Sequence, residues 1–161
     1  MAQKAAYRYA KAIYDLALDA KVLDQIFDNM KTLRDTLVSS TSLRNILKNP
    51  VINLNKKADI ANEVFVKSHS LTHKLISLLA NKNRIDQLDE VADAFIRLYE
   101  KEHNIQRATV ISATELSYST EKLIKKKIKE LTGSEAELKK EIDESMIGGF
   151  LLKINDKQFD A

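Results

Sequence analysis

The chain predicts a mainly α protein: an N-terminal six-helix bundle over residues 1–104, followed by a small α+β C-terminal domain over 105–161. Three observations carry this. Apolar residues recur at helical spacing through the first hundred positions. Only 3 Gly and 1 Pro interrupt the 161 residues. At Ile105 the texture changes to short β-branched runs, broken at Gly133 and at Gly148-Gly149.

The first helix, Ala5 to Ala20, has an unusual wheel. Arg8, Lys11, Asp15 and Asp19 crowd into about 80°, and apolar residues sweep roughly 240°. A surface helix needs an apolar stripe of little more than ~100°, so this helix calls for cover on two sides. Its alanines permit close approach by a neighbour. The second helix repeats Leu23, Ile26, Phe27, Met30, Leu33, Leu37 and Val38 on one ordinary face. Ser39, Ser40, Thr41 and Ser42 break the pattern and offer N-caps. A short third helix with Leu43, Ile46 and Leu47 stops at Asn49-Pro50, because proline disfavours helical backbone in the residue before it. Leu54, Ala58, Ala61, Val64 and Phe65 mark a fourth. A fifth runs from Leu71 to Lys82, with Ser68 or Ser70 as its expected cap. Leu71, Leu75, Ile76, Leu78, Leu79 and Ala80 cover about 200° of its wheel, a second surplus of apolar surface. The sixth helix follows Asn83, is one-faced, and fades at Glu102-His103-Asn104.

The second domain starts with a strand, Ala108 to Ala113. A helix carrying Leu116, Leu123, Ile124, Ile128 and Leu131 ends at Gly133. Ala136, Leu138 and Ile142 alternate with polar residues as a half-exposed strand. After Gly148-Gly149 come a strand over Phe150 to Ile154 and a hairpin at Asn155-Asp156 into Gln158-Phe159-Asp160. Some 55 residues make a marginal core, so this domain is expected to be tethered to the bundle.

Composition narrows the function. Cysteine is absent, which removes disulfides, thiolate zinc sites and thiol nucleophiles. No apolar run reaches the ~18 residues of a membrane span. The net charge is +3, and residues 105–161 carry ten basic and ten acidic side chains, without the strong positive field of a dedicated nucleic-acid binder. His69 and His73 share a helix face but lack a third ligand. Gly148-Gly149 has neither the spaced glycines nor the Lys-Ser/Thr ending of a phosphate loop; a tight bend is its expected role. The basic run Lys122, Lys125, Lys126, Lys127 and Lys129, flanked by Glu121 and Glu130, reads as a solvated helix face. Asp143 and Glu144 form no acid/base pair at a defined separation. No nucleophile, base and orienter set emerges, so the expectation is a non-enzyme without cofactor or metal.

Several motifs then fall in a specific order. Arg8-Tyr9-Ala10-Lys11-Ala12 with Tyr14 is a locally shifted R-x-YAKA-(Phe/Tyr) run. Leu79 to Ile85 reads L-x-x-N-x-R-(Leu/Ile). Ile111-Ser112-Ala113 and Leu116-Ser117 lead from strand to helix. Ile142 to Phe150 is close to V-D-x-S-L-I-G-G-F, and Ile154 to Asp160 is close to I-G-D-K-x-x-D. In this order the motifs resemble the delta subunit of F-type ATP synthases, the family of the mitochondrial oligomycin-sensitivity-conferring protein. Glu144 stands where the family usually has Pro, and Asn155 where it has Gly. The family continues past Asp160 with S-V-R-x-x-L and a closing helix, which this chain is expected to lack.

The resemblance implies a non-catalytic stator subunit of the proton-translocating enzyme. Its helical domain would bind the N-terminal helix of the alpha subunits, and its C-terminal domain the C-terminus of the b subunit. No nucleic acid and no direct membrane insertion are implied. The start at Met1 adds a bacterial protein, peripheral on the cytoplasmic face of the inner membrane. Helices one and five, the two with surplus apolar surface, would form the groove for alpha, with Tyr9, Ala12, Ile13, Leu75, Leu78 and Leu79 lining it. Central helices of a bundle are also apolar all round, so ordinary core packing is the competing reading for each of the six. An alternative function is a helical RNA-binding adaptor using the Lys122–Lys129 face.

Overall fold

The computed structural model describes residues 2–154 and 157–160, with side chains described for 4–154 and for Gln158 and Phe159. Two compact units divide the chain, Met1–Tyr99 and Glu100–Ala161. The division falls inside the sixth helix rather than at its end. Just past this point the buried Glu100 carboxylate accepts the Arg107 Nε–H on both oxygens, at 2.8 and 2.9 Å, which ties the last helical turn to the strand that follows.

The first unit contains α1 (Ala2–Asp19), α2 (Leu23–Ser39), α3 (Thr41–Lys48), α4 (Leu54–Val64), α5 (Ser70–Asn81), a single 3₁₀ turn (Ile85–Gln87) and most of α6 (Leu88–Glu102). Its core is built from the inward stripes. Ile26, Met30, Leu33 and Leu37 of α2 are fully buried, as are Ile76 and Leu79 of α5 and Val91, Phe95 and Ile96 of α6. Each such side chain contributes about 1.5–3 kcal/mol of hydrophobic stabilisation. Ala6, Ala10 and Ala17 sink α1 into this core, and Tyr14 meets Phe95 with ring centroids 5.7 Å apart.

Caps fix the helix ends. The Ser40 hydroxyl accepts from the Leu43 N–H and starts α3. The Arg44 guanidinium donates to the last carbonyls of α2, those of Leu37 and Val38. Asn49 is extended before Pro50 and closes α3. The cap of α5 is neither serine: His69 holds the position, its Nδ1 accepting from the Leu71 N–H at 3.2 Å. An imidazole nitrogen one residue before the helix offers the same acceptor that a Ser hydroxyl would.

The second unit carries one sheet with strand order β2-β1-β3-β4. β1 (Ile105–Ser112) pairs parallel with β2 (Glu135–Ile142) and antiparallel with β3 (Phe150–Ile154), which pairs antiparallel with β4 (Lys157–Asp160). α7 (Tyr118–Thr132) joins β1 to β2. The Ser117 hydroxyl caps it, and Gly133 at φ +70° ends it in the left-handed conformation that glycine adopts without penalty. Ala108, Val110, Leu152 and Ile154 point from the sheet onto Ile124 and Ile128 of α7. The turn expected at Asn155-Asp156 lies outside the described residues.

Candidate functional site

On α1, Ile13 and Tyr14 are buried with the alanines. One flank is left with Ala12 exposed, Leu16 at 54% and Tyr9 half-buried. On an ideal wheel these three lie within about 60° of one another. The opposite flank exposes Tyr7 and Leu18. The chain therefore covers only one side of a helix that calls for two.

On α5, Thr72, Leu75, Ile76, Leu79 and Ala80 are buried, Leu71 is half-buried, and Leu78 is 42% exposed. α1 and α5 pack against each other. Arg84, just beyond α5, donates to the Tyr9 hydroxyl at 3.3 Å, and its guanidinium carbon lies 5.7 Å from the centre of the Tyr9 ring. That contact holds the tyrosine side-on at the helix pair.

The six expected groove residues thus separate. Tyr9, Ala12 and Leu78 reach the surface. Ile13, Leu75 and Leu79, at 5%, 2% and 0% exposure, fill the bundle's own core instead. They occupy the inner sides of their helices, where the bundle needs them. Leu16, outside those six, lies exposed on the same flank of α1 as Ala12 and Tyr9. Its signal was its place on the wheel, between Ala12 and Tyr9.

The other candidates have structural employment. His73 Nδ1 lies 2.8 Å from the Asn62 side-chain oxygen, and His69 is the α5 cap. Among the described residues, no group of three metal-ligating side chains converges. Lys126 and Lys129 lie beside Glu130 and Glu135 at 4.0 and 3.4 Å. Across α7, Lys140 of β2 pairs with Glu121 at 2.6 Å, and that carboxylate raises the lysine's pKa. No described helix is long and apolar enough to cross a membrane.

Exposed apolar side chains on two helices that pack together are the kind of surface on which an amphipathic helix can lie. The profile of the family described as "ATP synthase delta (OSCP) subunit" matches residues 5–161. The chain belongs to that family. A delta subunit from Christiangramia forsetii is 40% identical over 158 residues, which cover 98% of this chain and 86% of that protein. One from Synechococcus elongatus is 34% identical over 155 residues, 95% of this chain and 86% of that protein. A chain in the cryo-EM structure of the Toxoplasma gondii mitochondrial ATP synthase hexamer has the same fold. The TM-score is 0.74 at 23% identity, over 96% of this chain and 88% of that one. As a delta subunit the protein is a structural, non-catalytic part of the peripheral stalk of an F-type ATP synthase.

Proposed function

We propose that the strip formed by Tyr9, Ala12, Leu16 and Leu78 receives an amphipathic helix from the N-terminus of the alpha subunit. The carrying observation is that α1 and α5, packed together, leave these side chains open while their inner faces are buried. A helix laid there would cover the flank that this chain leaves bare. Ile13, Leu75 and Leu79 act beneath it as the floor that fixes the strip's shape. The C-terminal unit binds the C-terminus of the b subunit, so one chain links catalytic head to stalk and resists rotation. In a bacterial cell this places it at the cytoplasmic face of the inner membrane.

The family's closing helix has a candidate seat. Glu121 and Lys129 of α7 face β2 through their ion pairs, and the opposite shoulder exposes Leu123 and Leu131. Phe159 of β4 pairs with Leu152 and so shares the α7 side of the sheet, 41% exposed. A further amphipathic helix over β3 and β4 would cover all three.

The deciding experiment is calorimetric titration of the full chain with a synthetic alpha N-terminal peptide. Leu78→Asp should weaken binding at least about tenfold, since it puts a charge in a desolvated seat, while circular dichroism stays near wild type. Unchanged affinity would remove the strip from the interface.

A further inference from the structure

The chain leaves α5 through a tightly specified corner. Asn83 holds φ +54°, in the left-handed region that glycine and asparagine adopt most readily. Its N–H donates to the Ala80 carbonyl at 2.9 Å, and the Arg84 N–H donates to the Leu79 carbonyl at 2.7 Å. Together these bonds make a Schellman motif, with Asn83 at the left-handed position and Arg84 directly after it. On its other side the Arg84 carbonyl accepts from the Gln87 N–H at 3.0 Å and opens the 3₁₀ turn. Ile85, the next residue, is buried in the core. The Arg84 backbone is therefore held through its N–H and its carbonyl alike.

A pinned backbone aims a side chain. Arg84 Nη1 reaches the Tyr9 hydroxyl, 75 positions earlier in the chain, at 3.3 Å. Among the described residues it is the one hydrogen-bond donor to that hydroxyl. Both side chains are half-buried, and Leu75 and Leu79 lie buried on the inner side of the same helix pair. Tyr9 is the largest side chain on the open flank of α1. Left free, its ring would be ordered only when something docks, and ordering a side chain at an interface costs affinity. The Arg84 contact moves that ordering from binding into folding.

We propose that Asn83 and Arg84 are positioning residues for the strip on α1 and α5: the left-handed turn at Asn83 aims Arg84 at Tyr9, and Arg84 fixes the ring before a helix docks. This rests on the strip being the docking surface and adds the device that sets its shape. Neither residue needs to touch the docked helix, because both act through Tyr9.

The test is a double-mutant cycle read by titration of the full chain with the alpha N-terminal peptide. Arg84→Met keeps the apolar stem and loses the donors; Tyr9→Phe keeps the ring and loses the acceptor. Each should weaken binding about three- to tenfold, the ordering cost of one side chain, and the double variant should bind no more weakly than either single one. Asn83→Gly keeps the left-handed turn and should bind as the wild type does. Asn83→Val puts a β-branched residue at positive φ and should weaken binding as Arg84→Met does. In the chain without peptide, the NMR shifts of the Tyr9 ring should move in Arg84→Met and in Asn83→Val and hold still in Asn83→Gly. Unchanged affinity in Arg84→Met, or losses that multiply in the double variant, would overturn the positioning role and leave the strip reading intact. Peptide affinity that does not respond to Leu78→Asp would overturn both.

Discussion

Tyr99 shows how one side chain can carry both packing and polarity. Its ring stacks on Phe27, centroids 3.9 Å apart and planes 13° off parallel, and its hydroxyl donates to the Asp24 carboxylate at 2.7 Å. Burial first, then the hydrogen bond and charge of Asp24, push its pKa from 10.0 up to about 12. The folded state thus keeps a proton that the unfolded chain releases at lower pH. The stabilisation is fully present below pH 10 and is lost as pH rises toward 12. Two pH units correspond to roughly 2–3 kcal/mol. Phe cannot ionise, so whatever deficit Tyr99→Phe has at neutral pH from the lost Asp24 hydrogen bond should shrink as pH rises from 10 toward 12. Urea midpoints of the two proteins across that range measure it, and a deficit independent of pH would contradict the assignment. In the sequence Tyr99 was visible only as an apolar position on the sixth helix. Its partner lies 75 positions away, beyond any local pattern.

At the level of helices, periodicity located the seven α-helices among the described residues, because each buries a stripe at 3.6-residue spacing. What it missed was made by tertiary contacts. The 3₁₀ turn at Ile85–Gln87 has no periodic signature. The start of α5 depends on α2: the Asn29 side-chain oxygen accepts from the His69 N–H at 2.7 Å and from the Thr72 hydroxyl at 3.1 Å. Two serines nearby looked like better caps than a histidine, but only His69 is anchored from across the bundle. Thr72 is fully buried, so Asn29→Ala would leave its hydroxyl without this acceptor. The expected cost is about 2–3 kcal/mol. Asn29→Asp, which keeps an acceptor, should recover part of it. Adding Thr72→Val to Asn29→Ala should cost less than the two single changes together, since the orphaned hydroxyl is then gone. Chemical denaturation of the four proteins would show strict additivity if Asn29 and Thr72 did not interact. The groove residues carry the same lesson. The surplus of apolar surface on α1 and α5 was legible from composition alone, but whether Ile13 or Leu16 faced outward depended on where the other helices came to rest.

At the scale of the whole chain, each of the two compact units has a buried cluster of its own among the described residues. The cluster of Ala108, Val110, Ile124, Ile128, Leu152 and Ile154 lies within the second unit, and the stripes of α1 to α6 fill the first. The sequence changes texture at Ile105, while the compact units divide between Tyr99 and Glu100, inside α6, where Glu100 pairs with Arg107. On the proposed reading the two partner contacts lie one on each unit, joined by the covalent chain. Sites on separate cores perturb each other little, and distant substitutions add to within about 0.5 kcal/mol. Leu78→Asp should therefore weaken alpha-peptide binding at least about tenfold and leave b-peptide affinity unchanged. Titrating each peptide in the presence and absence of saturating amounts of the other extends the test to the native chain. A shift of one affinity by the other ligand beyond about twofold, some 0.4 kcal/mol, would mean that the two units are energetically coupled, and the description of the protein as a passive tether would have to be abandoned.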